Sequence, residues 1–149
     1  MCYMVFISTT ADRDLSERNA PPFVIFERDL AHCEPGIADL LKYPRKWHVG
    51  VRSACSCTFR HLSVADIGFG VPEDWYPEEA EEIEATKQFY DVVASLVSAG
   101  QRVDCISHWA GTPKNAVKHL DVDLASVSRE AFRFFENYHF TFSHSGKRT

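Results

Sequence analysis

The segment Pro77–Gly100, PEEAEEIEATKQFYDVVASLVSAG, decides how the rest of the chain is read. Its apolar residues Phe89, Val92, Val93, Leu96 and Val97 recur at intervals of three and four, which places them on one side of an α-helix. Pro77 suits a first helical position. Glu78, Glu79, Glu81 and Glu82 crowd the opening turns, where the helix macrodipole favours negative charge. Gly100 follows the last periodic residue, as a C-terminal stop should. A solvated, dipole-matched start accounts for the acidic cluster better than a cation site does. A helix over 77–99 with one apolar stripe needs a surface to cover, and its surroundings read as strands.

Downstream, Val103–His108 reads as a strand that ends at Trp109-Ala110-Gly111-Thr112-Pro113. Lys118–Leu124 reads as another, Ser126–Phe134 as a short helix, and Tyr138–Ser143 as a last strand with Tyr138, Phe140 and Phe142 on one face. Upstream, residues 2–8 form a first strand, and Phe23-Val24-Ile25-Phe26 is short and wholly apolar, as a strand buried on both faces would be. Ile37–Tyr43 has room for one or two helical turns between Pro35-Gly36 and Pro44. From Trp47 the pattern alternates, with Trp47, Val49 and Val51 opposed to His48, Gly50 and Arg52. This order lacks the regular strand–helix alternation of a doubly wound fold. The expected class is α+β: one domain over residues 1–149, a mixed, mainly antiparallel sheet, and the 77–99 helix packed on one face.

A chain of 149 residues that is 45% hydrophobic and 13% aromatic can bury a substantial core. Its formal net charge of −5 and scattered basic residues argue against nucleic acid as a partner. No apolar run approaches the ~20 residues that span a bilayer, so a membrane is not expected either. The apolar start Met1–Ile7 lacks a basic flank and cleavage segment and reads as a strand, not a signal peptide. The expected location is the cytoplasm, where the five cysteines stay reduced, and their odd number fits free thiols better than a disulfide framework. The composition is compatible with an oligomer and names no partner.

The chemical lead is Ser53-Ala54-Cys55-Ser56-Cys57-Thr58-Phe59-Arg60-His61. Residues two apart on a strand share a face, so an unbroken strand would aim Cys55 and Cys57 at one point beside Trp47. Thiolates are soft ligands that select Zn, Cu(I) or iron–sulfur clusters, and imidazole extends the set for zinc. Cys105-Ile106-Ser107-His108 offers a second Cys and His, with strand pairing to bring Cys105 alongside and a bend after Ser107 to add His108. His61 is the rival fourth ligand. Against this stands the absence of the usual two-to-four-residue spacer, and the fact that free cysteine often packs as a small hydrophobe. Arg52, Arg60 and His61 could instead lower a thiol pKa and make Cys55 or Cys57 a reactive or redox cysteine.

Cys2, once the initiator Met is removed, would join a thiol nucleophile to an α-amine base. That arrangement resembles the N-terminal nucleophile amidohydrolases, although the glycine-rich context of the cysteine-type members is missing. The combination of Cys55-Ser-Cys57-x-Phe59, an acidic-start helix and a strand ending in Trp109 resembles a small family of uncharacterised bacterial proteins with a Cys-x-Cys-x-Phe segment. That resemblance implies a fold unit and no reaction.

Three functional readings follow. The first is a metal-binding protein, zinc being the natural ion, with Cys55, Cys57, Cys105 and either His108 or His61 as ligands. The second is a thiol-dependent or redox enzyme using Cys55 or Cys57. The third is a non-catalytic interaction domain whose cysteines only pack and which presents aromatics such as Trp75-Tyr76.

Overall fold

The computed structural model describes residues 3–19, 24–28, 30, 33, 35–51, 56, 58–62, 65, 68–70 and 78–145. Its strands are β1 (Tyr3–Thr9), β2 (Val24–Glu27), β3 (Arg45–Val51), β4 (His61–Leu62), β5 (Val103–Trp109), β6 (Lys118–Asp123), β7 (Phe134–Phe135) and β8 (Tyr138–Ser143). Helix α1 is a single turn, Pro35–Ala38, and α2 spans Ala80–Ser98. Six strands form one sheet in the order β2-β3-β1-β5-β8-β6, and β4 and β7 form a separate two-stranded ladder. Every neighbouring pair in the large sheet is antiparallel except β6 and β8, which run parallel. The fold is α+β, with a mixed, mainly antiparallel sheet and one long helix.

The helix packs as its stripe requires: Phe89, Val92, Val93 and Leu96 are buried in the main core, with Val97 at its edge. From the sheet, that core takes Tyr3, Val5 and Ile7 of β1, Trp47, Val49 and Val51 of β3, Val103 and Cys105 of β5, and Phe140 and Phe142 of β8. The alternate residues Met4, Phe6 and Ile106 face the other side, where Ile37 and Leu41 cover them in a smaller core. Burial on both faces explains why β1 is apolar almost throughout.

The helix starts later than the proline suggests. Ala80 is its first residue, Glu79 is the N-cap, and Glu79 and Glu82 close a reciprocal capping box (Pro77 lies outside the described residues). Glu78 is therefore not a solvated first-turn acid. Its side chain is 3% exposed and receives Arg60 in a bidentate pair, Nε to Oε2 at 2.6 Å and Nη2 to Oε1 at 2.9 Å. At the other end Gly100 adopts φ 84°, and Gln101 N–H returns to the Leu96 carbonyl at 3.0 Å, closing the helix.

Two further expectations give way. The short helix expected over 126–134 is a run of turns that ends in β7, because Arg60 and Leu62 of the β4 segment offer backbone partners to Phe134 and Glu136. The helical turns expected over Ile37–Tyr43 begin earlier, at Pro35, and stop after Ala38.

The smaller face also carries a buried polar knot. Asp104, wholly buried on β5, accepts from His139 Nε2 at 2.7 Å, from Lys42 N–H at 2.9 Å and from the Ser8 hydroxyl. Three donors converge on one carboxylate, which satisfies a charge that burial would otherwise penalise.

Candidate functional site

The β4–β7 ladder and the facing ends of β1 and β5 bring four side chains together. His61 pairs with Phe134, and the chain continues through Phe135 to Glu136, whose N–H bonds the Leu62 carbonyl at 2.9 Å. With a side-chain period of two, Glu136 returns to the side of Phe134 and so to His61. Tyr3 and Trp109 are register partners where β1 begins and β5 ends.

His61 Nδ1 lies 2.7 Å from Glu136 Oε2, and the Trp109 indole N–H donates to Glu136 Oε1 at 2.7 Å. The Tyr3 ring stacks on the imidazole with centroids 4.2 Å apart and planes at 21°, and Trp109 meets the same ring edge-on at 6.1 Å. An ionised carboxylate only accepts, so opposite such a Glu136 a neutral His61 ring would carry its proton on Nδ1 and present the Nε2 lone pair. The His61 and Glu136 side chains are 18% and 16% exposed, which shields the pair yet leaves it reachable.

The next turn holds Trp109 and Glu136 in place. Asn137 adopts φ 62°, and its Oδ1 accepts from Trp109 N–H at 3.2 Å, with the Thr112 hydroxyl 3.0 Å away. The Thr112 hydroxyl also reaches the Trp109 carbonyl at 2.7 Å. Asparagine tolerates this left-handed backbone better than most residues.

Ser56, which stands between Cys55 and Cys57 in the sequence, is tied to this corner. Its N–H bonds the Tyr3 carbonyl at 3.2 Å, and its hydroxyl bridges β1 and β3, accepting from Val5 N–H at 3.0 Å and donating to the Val49 carbonyl at 2.5 Å. Cys55 and Cys57 are its covalent neighbours, as Cys2 is of Tyr3. All three cysteines lie outside the described residues, as do Trp75 and Tyr76. Phe59 N–H returns to the Ser56 carbonyl at 3.2 Å, while Phe59 itself sits in the main core.

Cys105 and His108 do not join this corner together. Strand β5 runs on through Trp109 without the bend after Ser107 that would swing His108 round. Cys105 faces α2 in the main core, whereas His108 faces the smaller core and stacks on Phe6 with centroids 5.9 Å apart. Cys105 shares a face with Trp109 but stands four residues away, ~13 Å along a strand. Complete burial pushes its thiol well above the ordinary range, and the adjacent Asp104 carboxylate adds to the effect. A thiol so placed resists becoming a thiolate. Among the described residues, no group of three or more His, Cys, Asp or Glu side chains is placed to hold a metal ion.

Of the candidate metal ligands named from the sequence, His61 alone among those described stands at this corner. Glu136, Trp109 and Tyr3 carry no spacing signal, because each comes from a different element. No family model matches the chain, and no curated protein or solved structure matches it either. No helix among the described residues is long and apolar enough to cross a membrane.

Proposed function

We propose that the chain binds a thiophilic metal ion, zinc foremost, through the thiolates of Cys55 and Cys57 with His61 Nε2 as the imidazole ligand. The observation that carries this reading is the His61–Glu136 contact, 2.7 Å at Nδ1. Metal-bound histidines characteristically give their second nitrogen to a carboxylate, which fixes the tautomer and raises the basicity of the ligating atom. Trp109 supports the arrangement by holding the other carboxylate oxygen. Ser56 adds to it, because the residue between the two cysteines is anchored to the backbone of Tyr3, on whose ring His61 stacks. This reading does not draw on Cys105 or His108. A reducing cytoplasm belongs to this reading, since the ligands must remain thiolates.

Elemental analysis of the untagged protein, purified without chelator, is the test. Near-stoichiometric zinc that is lost in a Cys55→Ala, Cys57→Ala double variant and in His61→Ala supports the reading. A folded protein that stays empty after metal challenge sinks it. The dyad would then be tested as a base toward a cysteine, by the pH dependence of alkylation with and without Glu136→Gln.

A further inference from the structure

Four cations from three separate stretches of the sequence meet at one open groove where β1 and β2 end and β3 begins. Antiparallel pairing sets Glu27 beside His48 and Thr9 beside Arg45, so Arg28, the 10–14 segment and Arg45-Lys46 arrive at the same place. The groove, of about 430 Å³, is lined by Arg13, Arg28, Arg45 and Lys46 together with Asp12 and Trp47. That volume lies within the roughly 300–1,000 Å³ of small-molecule sites.

Three of the four cations are oriented by fixed partners. The Arg28 guanidinium sits 5.0 Å from the centroid of the Trp47 ring, itself only 3% exposed. Arg45 holds Asp12 Oδ1 through Nη2 at 2.8 Å and Nε at 3.1 Å, and Lys46 Nζ donates to the Ala38 carbonyl at 3.2 Å. Among the described lining residues Asp12 is the single carboxylate and is engaged by Arg45, so within that described lining Arg13, Arg28 and Lys46 outnumber the acids. Asp14 lies outside that lining, and Arg28 is the last of the influences that lower its pKa, after its bonds to Ser16. The chain as a whole carries −5, opposite in sign to these lining cations. Like charges gathered around one groove repel one another, and an anion between them relieves that repulsion.

We infer that this groove binds a phosphate-bearing small molecule, with Arg13, Arg28 and Lys46 as its cationic contacts. A small molecule fits better than a nucleic acid. The cations surround one cavity instead of forming a track, and the net charge of −5 would oppose a longer polyanion. Leu30 and Pro44 complete the wall and give an organic phosphate something apolar to rest on. This site is independent of the His61 corner.

The test is a titration of the full-length protein with pyrophosphate and with adenosine diphosphate, followed by amide chemical shifts and calorimetry at two ionic strengths. Saturable one-to-one binding is expected, with shifts centred on Arg13, Arg28 and Lys46. An Arg13→Gln, Arg28→Gln variant should bind about tenfold or more weakly while remaining folded. Tighter binding of the nucleotide would mark an organic phosphate as the occupant, and equal binding an inorganic one. Absent saturation, shifts centred elsewhere, or unchanged affinity in the double variant would each overturn the assignment. So would affinity that grows with oligonucleotide length while pyrophosphate stays unbound. If the double variant fails to fold, the shift map of the natural protein still decides.

Discussion

His61 Nδ1 and Glu136 Oε2 meet at 2.7 Å although 75 residues separate them in the chain, and the second oxygen of the same carboxylate holds the Trp109 indole. The contact exists because β4 and β7, two residues each, pair in parallel just beyond the end of the main sheet. A carboxylate held at both oxygens cannot rotate freely, so the imidazole it grips is also fixed. An imidazole anchored in this way suits a metal ligand or a base, and a merely packed histidine does not need such a grip.

Glu136→Gln should therefore leave the fold standing and weaken zinc by roughly 10- to 100-fold, the usual effect of losing a carboxylate behind a ligating histidine. Competition against a chromophoric chelator measures this. Unaltered zinc affinity in a folded Glu136→Gln protein would disconnect the dyad from the metal.

Cys105 should not react with iodoacetamide in the native protein at neutral pH, because it is 1% exposed and its thiol is held well above the ordinary range by burial. The linkage has a definite sign. A pKa raised on folding contributes stability that is complete below the unfolded value, about 8.5, and lost as pH climbs beyond it. Denaturant melts between pH 8 and 10 should show stability falling, with a shallower fall in Cys105→Ala. An identical slope in both proteins would contradict the assignment.

Glu78→Gln should cost roughly 3–5 kcal/mol, because it strands the Arg60 guanidinium in the interior with only carbonyl partners at Glu130, Phe132 and Gly70. Arg133, buried beside it with Nη2 at 3.8 Å from Glu78 Oε1, deepens the loss. Urea unfolding at pH 7 reads this, and a change below about 1 kcal/mol would show that the pair is dispensable. An ordinary solvated helix-start glutamate would give that smaller value.

Gly100→Ala should destabilise by about 1 kcal/mol through backbone strain alone, since φ is 84° there and nothing lies within 4 Å of an added Cβ. Thermal melts of the two proteins are enough to check it. Stabilisation instead would mean that the helix can end in another conformation.

What could be read from the chain was local. The 3.6-residue stripe of Phe89, Val92, Val93 and Leu96, the stop at Gly100, and the alternation of Trp47, Val49 and Val51 against His48 and Gly50 all survive in the structure. So does the shared face of Tyr138, Phe140 and Phe142. Each depends only on the repeat of a single element, and burying that element's apolar side forces its pattern. The expected helix over 126–134 fails because its apolar residues Phe132 and Phe134 serve long-range packing, and β7 finds hydrogen-bond partners in β4, some seventy residues earlier.

By itself, then, the sequence determined the α+β class, the place of the long helix, and which face of most strands is apolar, since side-chain period and burial act within one element. Only the tertiary structure decided that β6 lies parallel to β8, that Glu78 is swallowed by Arg60, and that Cys105 and His108 leave β5 on opposite faces of a straight strand. It alone brought Tyr3, His61, Trp109 and Glu136 to one corner. Such contacts join residues that no local repeat connects, and they form only when strand order, register and loop closure are settled together.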